Sequence, residues 1–121
     1  MNLYREIIMD HFKHPRNVGS IPDGITQNEV NPLCGDSTTL SLCIQDRRIT
    51  DAKHITKGCA ISIASMSLLT EHIKGKSVDE IQAMTADDMF TLIGTNPGSA
   101  RLKCVLLPLS TLKTALARGK P

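Results

Sequence analysis

At Gly58-Cys59 the spacing of apolar residues changes period, and that change limits what the chain can build. Before it, Thr38 to Gln45 alternates. Leu40, Leu42 and Ile44 share one side and Thr39, Ser41, Cys43 and Gln45 the other, the pattern of a strand with one face buried. After it, Ile61, Ala64, Leu68, Leu69 and Ile73 recur at helical spacing up to a stop at Lys74-Gly75. Strands come first and helices after, so the expected class is α+β: a small antiparallel three-stranded sheet with helices packed on one face.

The flanking pattern fills in the rest. Asn2 caps a first helix with Tyr4, Ile7, Ile8, His11 and Phe12 on its apolar face, and Pro15 ends it. Turn residues occupy 15–24, and a strand is expected over Ile25 to Asn31. Gly35 suits a tight reversal in Asn31-Pro32-Leu33-Cys34-Gly35-Asp36, which puts Cys34 and Asp36 at a hairpin tip. Asp46-Arg47-Arg48 makes the next turn, and Ile49 to Lys57 the third strand. Ser77-Val78-Asp79-Glu80, read as a capping box, and Thr85-Ala86-Asp87-Asp88 each start a short helix, the second closed by Gly94. A last helix over 100–118 carries the stripe Leu102, Val105, Leu106, Leu109, Leu112 and Leu116.

A chain of 121 residues suits one domain spanning 1–121. Its net charge of +2 comes from 14 basic and 12 acidic residues without a basic run, and its aromatic residues are Tyr4, Phe12 and Phe90. Neither a phosphate-tracking surface nor a base-stacking platform is available, so nucleic acid is excluded as a partner. No apolar run approaches the roughly 20 residues that span a bilayer, and Arg5 and Glu6 stand where a signal peptide needs apolar residues. No membrane partner is expected, and the location is expected to be cytoplasmic. There the four cysteines are reduced thiols available as ligands, not disulfides.

Three of them fall at ends of elements: Cys34 at the hairpin tip, Cys59 just before a helix, Cys104 in the first turns of another. Exposed amides at a helix N-terminus stabilise a thiolate, so low pKa values are expected for Cys59 and for Cys104. Pro108 lacks the amide that would bond to the Cys104 carbonyl, which implies an open or kinked helix there. Cys34-Gly35-Asp36 sets a soft sulfur and a hard oxygen on one side of the tip. With no C-x2-C pair, a metal site must be assembled from distant segments. Cys43, mid-strand, reads as packing, His54 and His72 as satisfied or solvated, His11 as packing and hydrogen bonding, and Asp87-Asp88 as helix-start charges.

Four ordered blocks carry a resemblance over nearly the whole length: Asp10-His11-Phe12 with Pro15-Arg16-Asn17-Val18-Gly19; Asn31 to Asp36; Gly58-Cys59 with Ala64-Ser65, Ser67-Leu68 and Thr70-Glu71; and Arg101-Leu102-Lys103-Cys104. With these the chain resembles the IscU, SufU and NifU N-terminal family of iron-sulfur cluster assembly scaffolds. The resemblance implies the same α+β fold and a ligand role for Cys34, Asp36, Cys59 and Cys104. It also implies iron or a [2Fe-2S] cluster, or zinc, at that site. The implied partners are a cysteine desulfurase that donates persulfide sulfur and apo-proteins that accept the cluster. Lys103 stands where IscU-type members have His, as in SufU-type members, yet the Cys59 to Cys104 span is too short for the SufU-type insertion. The Leu-Pro-Pro-Val-Lys segment that engages a dedicated Hsp70 is replaced by Asn96-Pro97-Gly98-Ser99, so that chaperone is not expected.

The expected function is therefore a scaffold and not an enzyme, receiving iron and persulfide sulfur and transferring a nascent [2Fe-2S] cluster. The alternative is a zinc-binding sulfurtransferase of SufU type. In either case Cys59 and Cys104 accept sulfur, with the Lys103 charge favouring the Cys104 thiolate.

Overall fold

A computed structural model describes residues 3–31, 35–94, 98 and 102–118, excluding the side chains of Leu3 and Tyr4. The order is α1 (Leu3–Lys13), β1 (Ile25–Asn31), β2 (Asp36–Gln45), β3 (Arg48–Lys57), α2 (Ala60–Ile73), α3 (Val78–Gln82), α4 (Ala86–Ile93) and α5 (Leu102–Arg118). The strands form one antiparallel sheet in the order β1-β2-β3, as the period-two pattern requires. Among the described residues no helix is long and apolar enough to cross a membrane.

Leu42 pairs with Ile25 and Ala52, and Leu40 with Gln27 and His54, so these residues share the inner face under α2 and α5. Thr26, Asn28, Val30 and Ile55 lie exposed on the outer face. One feature of β3 was not legible beforehand. Cys43 pairs with Asp51 and Ile44 with Ile49, so Thr50 is an extra residue in a β-bulge. The bulge turns both Ile49 and Ala52 into the core although they are three apart, and both are fully buried.

The helix α2 departs from the expected single apolar face. Ser62, Ala64, Ser65, Met66, Ser67, Leu69, Thr70 and Ile73 are all buried, because α1, α4, α5 and β3 pack around it. Small Ser and Ala side chains permit that close approach. The predicted caps are present in altered form: the Ser77 hydroxyl accepts from the Glu80 N–H at 3.1 Å, and the reciprocal acid contact is made at α4, where Asp88 accepts from the Thr85 N–H at 2.8 Å. Gly94 ends α4 in the left-handed conformation, with φ 84°. The last helix runs through Pro108 without interruption.

The block Pro15 to Gly19 is a strap that ties α1 to the rest. His54 donates its backbone N–H to Asn17 O (2.8 Å) and accepts from the Gly19 N–H (2.9 Å), while Arg16 N–H donates to Ser67 Oγ (2.9 Å) and Asn17 Nδ2 to Thr70 Oγ1 (3.2 Å). The His54 ring is 1% exposed and fully occupied. Nε2 lies 3.0 Å from the Arg16 carbonyl, which can only accept, so Nε2 carries the proton and Nδ1 accepts from Thr56 Oγ1 at 2.8 Å. His11 is likewise buried, 2.7 Å from Ser67 Oγ, which accords with packing and hydrogen bonding.

Replacing His54 with Ala leaves the Arg16 carbonyl and the Thr56 hydroxyl without the ring and opens a cavity, an expected loss on the order of 2–4 kcal/mol in urea unfolding at pH 7.5. Burial lowers the His54 pKa below 6.5, outweighing the Arg16 carbonyl, which raises it. A depressed folded-state pKa means stability present above the unfolded value and lost as pH falls through it. The parent's advantage over His54→Ala should therefore shrink below pH 6.5, and an advantage that grew on acidification would contradict the neutral, doubly bonded ring.

Candidate metal centre

Asp36, Cys59 and Cys104 converge from three elements, with one ligand atom from each within 4.8 Å of the others. Asp36 opens β2, opposite Asn31 in the sheet register. Although next to the hairpin connection, it is only 1% exposed, because the end of β3 and the start of α2 close over it. Cys59 is the extended N-cap residue of α2, at φ −74° and ψ 167°. Cys104 lies in the first turn of α5 and is 3% exposed.

The carboxylate is held at both oxygens. Oδ1 accepts from the Cys59 N–H at 3.1 Å and Oδ2 from the Ser62 hydroxyl at 2.7 Å. Gly58 makes this approach possible. A β-carbon there would stand 2.1 Å from Asp36 Oδ1 and 2.8 Å from its Cγ, and the backbone φ is 148°, where L side chains are strained. The Gly58-Cys59 block thus acquires a physical reason: the glycine is the space into which the acid fits.

The two thiols differ, against the expectation that both would be acidic. Burial alone would raise the Cys59 pKa, but the contacts of its sulfur with Ser62, the backbone N–H included, and with Cys104 outweigh it, and the thiol lies below its usual 9.0. Cys104 is pushed up to about 12, first by burial and then by the Asp36 carboxylate and the Cys59 sulfur, acceptors beside its one S–H that favour the protonated form. In the metal-free site Cys104 keeps its proton while Cys59 is the better nucleophile. A helix start favours a thiolate only where the sulfur is not also enclosed beside a carboxylate.

Lys103 and Cys104 differ in surroundings. Lys103 is exposed while Cys104 is buried, as neighbours about 100° apart on a helix are, and it lines an open groove with Val30, Leu106 and Ser110. Cys34 lies outside the described residues, in the connection between the paired Asn31 and Asp36. Cys43 is half-buried and lines a cavity near Ile25, Val78 and Leu116, toward the opposite end of β2, apart from the cluster as expected. His72 is exposed on α2.

Sequence reasoning missed Ser62. The available signal was its place three residues after Cys59, on the same side of the first helical turn, between the apolar pairs Ala60-Ile61 and Ile63-Ala64.

The NifU-like N terminal domain family matches residues 3–120. A zinc-dependent sulfurtransferase SufU of Bacillus subtilis is 35% identical over an alignment covering 96% of this chain and 90% of that protein. The iron-sulfur cluster assembly scaffold protein IscU of Escherichia coli K12 is 38% identical, covering 97% of this chain and 94% of its own length. Among solved structures, a candidate iron-sulfur cluster assembly scaffold for the SUF system from Fervidobacterium islandicum superposes with a TM-score of 0.80 at 31% identity, covering 92% of this chain and 94% of that one. The recurrent blocks, the three-stranded sheet and the Asp36-Cys59-Cys104 cluster thus have one common explanation: the chain belongs to the NifU-like N-terminal domain family.

Proposed function

We propose that this protein is an assembly scaffold for iron-sulfur clusters, with Cys34, Asp36, Cys59 and Cys104 as ligands. The observation that carries the reading is the convergence of two thiols and a carboxylate from distant segments within 4.8 Å. The donor set fits a soft cation: two sulfurs supply thiolate ligation, and the carboxylate is a harder, more exchangeable ligand. The cluster is the cargo, built from iron and sulfide and passed to apo-proteins. The similarity to IscU supports this assignment, and a reducing cytoplasm would keep the thiols available.

Sulfur acceptance falls most naturally to Cys59, half-exposed and with a lowered pKa. Its thiolate attacks the outer sulfur of a persulfide on a cysteine desulfurase. The donor's S–S bond breaks, the donor cysteine leaves as a thiolate, and Cys59 becomes the persulfide. The same step supports a second reading, a zinc-holding sulfurtransferase, favoured by the similarity to SufU. In that case zinc would occupy the same ligands and the persulfide sulfur would pass onward without a cluster.

Anaerobic reconstitution with iron, cysteine and a desulfurase, followed by absorption spectra, tests the reading beside metal analysis of the protein as purified. A cluster spectrum is expected from the parent and from Cys43→Ser, and a loss of at least about tenfold in bound iron from Cys59→Ser and Cys104→Ser. Stoichiometric zinc as purified, with no cluster formed, would favour the sulfurtransferase. Cluster binding lost in Cys43→Ser but retained in Cys59→Ser would overturn the ligand assignment.

A further inference from the structure

We propose that Ser62 is a positioning residue of this centre, whose hydroxyl holds the Asp36 carboxylate in the orientation that ligates. The proposal rests on the metal-site reading above and concerns a side chain outside the ligand set. Ser62 is 1% exposed in the first turn of α2. Its oxygen lies 2.7 Å from Asp36 Oδ2 and 3.5 Å from Cys59 Sγ. A hydroxyl has one hydrogen to donate, and the two distances assign it to the carboxylate.

The need for such a donor follows from Gly58. Asp36 Oδ1 fills the space that a side chain at position 58 would take, and the terminal torsion of an Asp carboxylate is broad, so its orientation is set by what bonds its oxygens. The Cys59 N–H restrains one oxygen and Ser62 the other. With both donors present the carboxylate plane is fixed relative to Cys59 and Cys104. Without Ser62, Oδ2 loses its 2.7 Å hydrogen bond. Groups that orient a ligating carboxylate in this way typically contribute about 10–100-fold to metal affinity. Ser62 also sits against the sulfur of a second ligand, so a carboxylate that swings away frees the hydroxyl hydrogen for Cys59. Loss of one ligand would then weaken electron donation by the other.

Four proteins isolate the hydroxyl: the parent, Ser62→Ala, and the shape-matched pair Ser62→Thr and Ser62→Val. The probe is cobalt(II), added anaerobically to metal-free protein in competition with a chelator. The d–d and thiolate-to-cobalt bands report binding, and the separation of the infrared carboxylate stretches reports how Asp36 is held. The expected result is that Ser62→Ala and Ser62→Val bind about tenfold or more weakly than their hydroxyl-bearing counterparts. Their carboxylate splitting should shift, while Ser62→Thr keeps the parent value. If Ala at this position disturbed folding, the Thr and Val pair would still differ only in the hydroxyl. A parent that shows no thiolate-to-cobalt band would remove the metal site and this proposal with it. A parent that binds, with hydroxyl-free variants equally tight and unchanged in the infrared, would overturn the role of Ser62 alone.

Discussion

Alanine at position 58 should reduce metal affinity by at least about 100-fold, a larger effect than any single substitution outside the ligand set. Two causes act together. The added carbon would stand 2.1 Å from Asp36 Oδ1, inside any possible contact distance, and the φ of 148° is unfavourable for an L side chain. The second cause alone costs about 1–3 kcal/mol. The first displaces the carboxylate from both donors that hold it. The causes separate in a double-mutant cycle with Asp36→Gly, which removes the clashing side chain and leaves only the backbone strain. Thermal unfolding of the metal-free proteins should show Gly58→Ala costing less in the Asp36→Gly background than in the parent, a coupling of about 1 kcal/mol or more. Cobalt binding gives the affinity. Additive stabilities and near-parental affinity would mean that Asp36 does not occupy the space beside Gly58.

Zinc affinity should rise steeply with pH, about tenfold per unit from pH 6 to pH 8 from Cys104 alone. The sign follows from the free site. Cys104, pushed up to about 12, is protonated throughout that range, yet a bound metal requires its thiolate. Each binding event therefore expels one proton from this sulfur, and raising pH makes that release easier. Cys59, already below 9.0, adds to the slope only where it is still protonated. Competition with a chromophoric chelator at several pH values, corrected for the chelator's own protons, measures the slope. Calorimetry in buffers of different ionisation enthalpy counts the protons. Binding without proton release would show that Cys104 is not a ligand. In the metal-free protein the same raised pKa stabilises the fold below about pH 9, and that contribution is lost as pH climbs toward 12.

Much of the secondary structure was legible because it is encoded locally. The alternation of Leu40, Leu42 and Ile44, the Gly94 stop and the leucine stripe of α5 depend on residues a few positions apart, and each reappears in the structure. What escaped depends on neighbours distant in sequence. The Thr50 bulge leaves no signal in period-two counting because one extra residue only reverses the faces. The burial of α2 on nearly every side reflects four other elements packing on it. At the centre, chain position pointed to Cys34, Cys59 and Cys104 and the resemblance added Asp36; a ligand atom each from Asp36, Cys59 and Cys104 lies in one cluster, and Cys34 lies outside the described residues. Chain position pointed wrongly to an acidic Cys104, since enclosure and proton sharing arise only once β2, α2 and α5 meet. Lys103 is adjacent to Cys104 along the chain, yet one is exposed and the other buried.

The sheet order β1-β2-β3 also bears on how quickly the protein becomes itself. A meander is made of short-range hairpins, whose loops close at low entropic cost, so the sheet is expected to form early in folding. Cys104 joins Asp36 and Cys59 only when α5 has docked across β1 and α2, a closure over a much longer stretch of chain. The metal-binding arrangement is therefore expected to assemble after the sheet. An ion that grips all three side chains would act on that later step, slowing the undocking of α5 more than it hastens the birth of the sheet. Cargo loading would in this sense also set the lifetime of the finished fold.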